Sequence, residues 1–337
     1  MTDVDQPDGA AESGDRPPDF DHTPVMLDTI VALFAPVPSG VVIDATLGGG
    51  GHSEALLDAY PHLDLIGLDH DADAVAAASR RLARFGSRVR IEHVRFDQMG
   101  DIVAQFSPGG VSGVLFDLGV SSPQLDRAER GFSFRSGGPL DMRMDRRRQR
   151  SADDVVNRYT AERLAETLDR YGDERFARRI AAAIVASRPV ADTAQLAEIV
   201  ASAIPAPARR KSTGHPARRS FQAIRIEVNS EIEILASSID LAIDVLTPGG
   251  RCVAMSYHSG EDRLVKERFR QAQTGGCVCP PRLPCGCGAT PTVELVTRGA
   301  IKATASEIER NPRAESVRIR AAQKLEPAVG SADAQAS

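Results

Sequence analysis

At 337 residues the chain has room for about two domains of roughly 150 residues, or one domain carrying a large insertion. Its 42% hydrophobic and 26% charged residues exclude a wholly disordered or fibrous chain, and 4% aromatics with no Trp point to a core of Ala, Val, Leu and Ile without an aromatic-rich recognition surface. The net charge of −5 is concentrated at one end: residues 1–21 carry seven acidic residues against Arg16, leaving 39 acidic and 40 basic residues elsewhere. That leader is expected to be disordered and solubilising. No run approaches the ~18 apolar residues of a membrane span, and an acidic start is unlike a signal peptide, so a cytoplasmic protein without membrane contact is expected.

From Val25 onward short apolar runs alternate with amphipathic stretches. Strands are predicted at 41–45, 63–68, 89–94 and 111–116, with helices at 52–60, 71–85 and 97–106 between them. This βαβα rhythm predicts a parallel sheet covered by helices on both faces. After Asp117 the rhythm stops: residues 123–150 read as an Arg- and Gly-rich loop, followed by helices at 160–171, 174–187 and 192–204. The first of these is expected to stop at Gly172, and the last opens with a capping box from Asp192 to Gln195. From Ser220 an apolar stripe (Phe221, Ile224, Val228, Ile232, Leu235, Ile239) predicts one helix of more than 25 residues, serving either the core or a homodimer. Thr247-Pro248-Gly249-Gly250 ends it, and a buried strand at 251–257 resumes the sheet. A helix at 261–273, a Cys/Pro/Gly loop and two strand-like stretches (292–297 and 316–321) complete the chain. The expected organisation is a leader (1–21), a sheet domain in two pieces (22–123 and 218–325), an inserted helical substrate-recognition subdomain (124–217) and a flexible tail (326–337).

The chemistry is expected at the carboxyl ends of the strands. The first strand runs into Asp44-Ala45-Thr46-Leu47-Gly48-Gly49-Gly50-Gly51-His52-Ser53, directly before a helix, so the backbone can turn sharply and present free N–H groups to a ligand. The second ends at Asp69, 21 residues after Gly48, where a carboxylate would hold ribose hydroxyls. Ser53 breaks the G-x-G-x-x-G pattern of dinucleotide enzymes, which favours S-adenosylmethionine over NAD. Phe96 and Asp97 follow the third strand and could meet an adenine, and Asp117 closes the fourth.

These residues resemble the bacterial 16S ribosomal RNA (cytosine N4) methyltransferases, which modify a decoding-site cytidine. The resemblance runs from His22-Thr23-Pro24-Val25-Met26-Leu27 to Asn311-Pro312-Arg313. It is carried by Gly48 to Ser53, Asp117 to Asp126, Arg130-Gly131-Phe132-Ser133-Phe134, Gly138 to Asp145, Arg218 to Ile226 and Ser256 to Arg263. It implies a Rossmann-like class I methyltransferase sheet with S-adenosyl-L-methionine held by Gly50, Gly51, His52, Asp69, Phe96, Asp117 and Gln124. The implied partner is 16S rRNA or the small ribosomal subunit. The sequence departs from the family pattern at Tyr257 and Gly260, where Phe and Leu are usual.

Amino methylation needs orientation and an acceptor for the amine protons. In many amino-methylating enzymes an Asp/Asn-Pro-Pro-aromatic motif follows the fourth strand; here Asp117-Leu118-Gly119-Val120 stands in that place. Asp117 is the candidate catalytic residue. Asp141, Arg143 and His258 are candidate substrate contacts, against a loop salt bridge for the first two and a strand-end tie for the histidine. Eight arginines in 127–150, and six basic with no acidic residues in 205–225, predict a phosphate-binding surface flanking the insertion, with the target base splayed into the site. A non-catalytic RNA-binding assembly factor on the same shell is the alternative. Cys277, Cys279, Cys285 and Cys287 form C-x-C, five residues, C-x-C, which suits either zinc or reduced, redox-active thiols.

Overall fold

The structure, a computed structural model, describes residues 24–135, 137–211, 214–280 and 286–327. The acidic leader, Cys285 and the tail beyond Pro327 lie outside the described residues. In chain order the first half comprises α1 (Leu27–Phe34), β1 (Gly40–Asp44), α2 (Gly51–Ala59), β2 (Leu63–Leu68), α3 (Ala72–Leu82), β3 (Val89–Glu92), α4 (Met99–Phe106), β4 (Val111–Asp117) and the short α5 (Ser122–Asp126). Five helices follow: α6 (Ala161–Gly172), α7 (Ala177–Ala186), α8 (Thr193–Ala203), α9 (Ala206–Lys211) and α10 (Arg218–Asn229). The chain then returns through α11 (Glu231–Val245), β5 (Leu246–Ser256), α12 (Ser259–Thr274), β6 (Val293–Leu295), α13 (Ala305–Arg310) and β7 (Arg318–Lys324).

The strands form one sheet in the order β3-β2-β1-β4-β5-β7-β6. The first five are parallel, β7 runs antiparallel to β5, and β6 antiparallel to β7. Strand order reverses between β1 and β4, which opens a crevice at the strands' carboxyl ends. Period-two alternation makes two cores. Leu115, Val253 and Met255 face one layer with Ile30 and Phe34 of α1, while Val114, Phe116, Cys252 and Ala254 face the other with Leu235 and Ile239 of α11. This is the doubly wound α/β arrangement that the βαβα rhythm predicts.

The helices after Asp117 build a separate core from Phe132 to Val228, centred on Leu164, Leu168, Ile180, Ile184, Leu196 and Val200. Asp192 Oδ1 caps α8 by accepting from Gln195 N at 2.8 Å, but Gln195 Oε1 reaches back to Ala191 N (2.7 Å), one residue short of a capping box. Gly172 does not terminate α6; Asp173, with φ of 46°, does. The glycine is needed for close approach, since a Cβ there would lie 2.8 Å from Arg219 O on α10.

The single long helix expected from Ser220 is two helices. Ser230, at φ 57°, ends α10 and precedes α11, and the apolar stripe divides there. Phe221, Ile224 and Val228 join the helical core, while Leu235, Ile239 and Ala242 join the sheet. Both halves of the stripe are thus covered within the chain, which removes the basis for a homodimer drawn from it. The break also lets Arg225 and Glu231 form a two-point pair, Nε to Oε1 and Nη2 to Oε2, each 2.9 Å. On an unbroken helix residues six apart are roughly 240° around the axis and could not meet this way.

Candidate active site

A cavity of about 690 Å³ opens at the carboxyl edge of the sheet and extends to the helical core. On the sheet side the β1–α2 turn supplies Gly48, Gly49, Gly51 and His52. Gly48 has φ of 51°, and a Cβ there would meet no atom closer than Thr46 O at 3.9 Å, so the turn presents bare backbone beside the first-turn N–H groups of α2. Gly50 is not in the wall: its N–H donates to Leu47 O (2.8 Å), and a Cβ on it would point at Ala78 and Leu82 of α3.

Asp69 braces this turn. Its Oδ2 accepts from Gly48 N and its Oδ1 from Asp71 N, each at 2.8 Å, and each oxygen keeps a lone pair for a hydroxyl. Burial raises its pKa despite His70 and these N–H donors. Phe96 lines the cavity and packs edge-on against Phe116, with centroids 5.7 Å apart. Asp97 does not line it; two hydrogen bonds tie its carboxylate to Arg95, which holds its pKa down. Gln124 reaches the wall with both amide ends engaged, Oε1 by Ser121 N (3.0 Å) and Nε2 by Asp71 Oδ2 (2.8 Å).

Asp117 stands where the two sides of the cavity meet. Its backbone N–H donates to Thr46 Oγ1 (2.6 Å), Tyr257 donates its hydroxyl to Oδ1 (2.8 Å), and His52 Nδ1 is 3.5 Å from Oδ2. His52 Nε2 is 2.9 Å from Val25 O, which can only accept, so that nitrogen carries hydrogen and Nδ1 is the one facing the carboxylate. Burial raises the Asp117 pKa, with His52 and Tyr257 opposing. Behind it Asp44, 2% exposed, accepts from Ser53 Oγ (2.6 Å) and Thr46 N (3.2 Å). Burial pushes its pKa up to about 6. Two carboxylates and an imidazole thus lie in one poorly solvated cluster.

His258 caps α12. Its Nδ1 accepts from Gly260 N (3.2 Å) and Glu261 N (3.4 Å), while Glu261 Oε2 reaches back to Tyr257 N (2.8 Å) and His258 N (3.3 Å). The helix therefore starts cleanly in spite of Gly260. With Nδ1 accepting, the neutral ring carries hydrogen on Nε2. That buried nitrogen lies 3.0 Å from Glu261 Oε1, so the ring is held against the carboxylate that its own cap positions. Burial opposes ionisation of Glu261, yet the adjoining His258 ring and Arg225 keep its pKa below the usual range.

Asp141 and Arg143 are not in the cavity wall. They bind each other in two places, Nε to Oδ1 at 2.6 Å and Nη2 to Oδ2 at 3.1 Å, and Arg143 Nη1 donates to Arg148 O (2.8 Å), an arrangement that organises the 141–148 loop. Much of the arginine run likewise pairs with groups of the protein itself, although Arg135, Arg146, Arg147 and Arg150 stay exposed. Arg130, 3% exposed, pairs with Asp71 (2.8 Å) and donates to Arg143 O and Met144 O. Arg127 pairs with Asp73, Arg147 with Asp145 and Arg150 with Glu227, while Arg148 binds Asn229 O. Exposed basic residues that do line the cavity are Arg135, Arg218 and Arg313. Beside them the structure gathers what composition argued against, an aromatic wall of Phe132, Phe134 and Phe221, with His215 stacked on Phe134 at 4.6 Å.

Several site residues were missed from sequence. His258-x-x-Glu261 has capping-box spacing and could have been found. The roles of Thr46, Tyr257 and Glu231 depend on partners 71, 140 and 6 residues away, which no local pattern reveals.

Among the described residues no helix is long and apolar enough to cross a membrane. The family model described as the MraW methylase family matches residues 19–325. The chain is 49% identical over 313 residues to ribosomal RNA small subunit methyltransferase H of Parafrankia sp. (strain EAN1pec), covering 91% of this chain and 95% of that protein. It is 49% identical over 316 residues to the protein of the same name in Saccharopolyspora erythraea, covering 91% and 94%. Among solved structures it is similar to a putative rRNA methylase from Clostridium thermocellum, at TM-score 0.40 and 12% identity over 89% of this chain and 95% of that one. With a family model spanning nearly the whole chain and relatives matched over nine-tenths of it, this protein belongs to the MraW methylase family.

Proposed function

We propose that the chain methylates the exocyclic N4 of a cytidine in 16S rRNA of the small ribosomal subunit, with S-adenosyl-L-methionine as methyl donor. The observation that carries the reading is the continuity of one cavity from a glycine turn and a ribose-facing carboxylate, past Asp117, to a wall of aromatic and basic residues. The relatives' names supply the small-subunit rRNA.

The sheet side fits the donor. The open backbone at Gly48 and Gly49 and the first-turn N–H groups of α2 would receive its polar end, Asp69 the ribose hydroxyls and Phe96 the adenine. The donor supplies an electrophilic methyl group. The chain's task is to orient a weakly nucleophilic amine and take its proton. Asp117 Oδ1 is occupied by Tyr257, which leaves Oδ2 to accept an N–H of the amine. His52 Nδ1, 3.5 Å behind that oxygen, shares the proton released. His258, with Nε2 3.0 Å from Glu261 Oε1, fixes the start of α12 at the cavity wall and so positions Tyr257 beside Asp117. Phe134, half-buried and stacked with His215, borders the space for a splayed base, with Phe132 and Phe221 packed behind it, while Arg135 and Arg218 meet phosphates. Asp141 and Arg143, paired with each other outside the cavity wall, shape the 141–148 loop.

The test is methyl transfer from labelled donor to small subunits lacking the modification, followed by nucleoside mass spectrometry. N4-methylcytidine at a single 16S position supports the reading. Methyl groups on another base or atom, or no transfer to either naked RNA or subunits, overturns it, and the latter would favour a non-catalytic assembly factor.

A further inference from the structure

The cysteine loop lies between α12 and β6, at the sheet edge away from the cavity. Its feet are fixed by backbone hydrogen bonds, Gly276 N to Gln271 O (3.0 Å), Cys277 N to Thr274 O (3.1 Å) and Thr292 N to Ala272 O (3.0 Å). Between those feet nothing apolar supports it: no described residue from 271 to 292 is buried, and Val278, between two cysteines, is 88% exposed. A segment rich in Pro and Gly with no core of its own needs another source of order. Cys277, Cys279 and Cys287 converge instead, their sulfurs all within 4.8 Å of one another and the Cys277 and Cys287 sulfurs 3.6 Å apart. In a tetrahedral zinc site with Zn–S of about 2.3 Å the sulfur–sulfur edge is about 3.8 Å, so the three sulfurs already stand near the corners such a site requires.

We infer that Cys277, Cys279 and Cys287 bind one structural zinc ion that staples the α12–β6 loop. Each thiol releases its proton to solvent as its sulfur–zinc bond forms, and no oxidant or reductant is involved. An all-thiolate set selects zinc over hard cations such as magnesium or calcium. The ion is not part of the methyl-transfer chemistry: α12 starts at the cavity with the His258 cap, and its sixteen residues put the loop about 24 Å away. Its role there is to order the loop.

Metal analysis of the untagged full chain, purified without added metal and without chelator, provides the test, together with reconstitution by cobalt(II) after acid removal of metal. One zinc per chain is expected, with cobalt giving the intense sulfur-to-metal charge-transfer absorption of a tetrahedral thiolate site. Cys277→Ser and Cys287→Ser should each lose the ion, whereas Cys252→Ala, altering a buried core cysteine, should keep it. Less than a tenth of an equivalent of zinc together with no charge-transfer band overturns the inference, as does stoichiometric iron or copper in zinc's place. Both wild-type readouts stand even if a serine variant fails to fold.

Discussion

The strand-end motifs of the sheet and the arginine run of residues 127–150 were equally conspicuous in the sequence, and they met opposite fates. Of the residues expected to hold the donor, Gly51, His52, Asp69, Phe96, Asp117 and Gln124 reach the cavity wall, and Gly50 alone does not, its place being taken by Gly48 and Gly49 of the same turn. Of the eight arginines in the run, Arg135 alone lines it, and Arg130 is among the most buried charges in the protein. A residue at the carboxyl end of a parallel strand is placed by the backbone itself, because the strand's direction and register aim it at the crevice. A long, flexible cation goes wherever carboxylates and carbonyls are offered, and here Asp71, Asp73, Asp141, Asp145 and Glu227 offer them. The run is a framework that pins the 127–150 loop over the end of β2, through the Arg130–Asp71 pair, and brings Arg135 to the cavity.

The sharpest way to break this comparison is Asp117→Asn. Methyl transfer kcat/KM is expected to fall by ~10²–10⁴, the range for loss of a positioned proton acceptor. Stability should not fall, since burial already disfavours the ionised carboxylate. Steady-state kinetics beside thermal unfolding checks both, and a loss smaller than tenfold would reduce Asp117 to a contact residue. Next is Arg130→Ala, which strands the buried Asp71 carboxylate and should cost about 3–5 kcal/mol in urea unfolding. Arg146→Ala, exposed and without a side-chain partner among the described residues, should stay within about 0.5 kcal/mol. Equal costs at the two positions would refute the framework view.

Asp44→Asn probes the cluster behind the site. Its folded pKa of about 6 stands above the ~3.9 of an unfolded chain, so the folded state holds the extra proton between those values. Stability contributed by this group is therefore complete below about pH 4 and lost as pH rises through about 6, by on the order of 3 kcal/mol. The asparagine variant should flatten that segment of the curve, measured as the wild-type-minus-variant difference in unfolding free energy across the window. The smallest effect is expected from Tyr257→Phe, which restores the residue usual in the family pattern. Loss of the hydroxyl that lowers the Asp117 pKa should move the acid limb of the pH–rate profile to higher pH, with about a tenfold loss in kcat/KM on that limb.

Much of the sheet was legible because it obeys local rules. Residues 63–68 form β2 as predicted, and the glycine turn stands where β1 ends. What was not legible involves choices made between distant segments. The stripe from Phe221 to Ala242 has one unbroken period, yet Ser230 splits it between two cores, since the helical and sheet cores lie on either side of the cavity. Gly172 looked like a stop signal, and its real function is to let α10 approach. The aromatic wall joins Phe132 and Phe134 of one short motif to Phe221 of α10, on the other side of the helical insertion, a convergence that composition could not foresee.

By itself the sequence determined the parallel sheet, its glycine turn and the acidic strand ends, because these follow from periodicity and backbone conformation within a few residues. Only the tertiary structure decided which charges face inward, where the long stripe breaks and which hydroxyl reaches Asp117. Each of those depends on a partner brought close by folding, and the interaction between them has no energy until that approach is made.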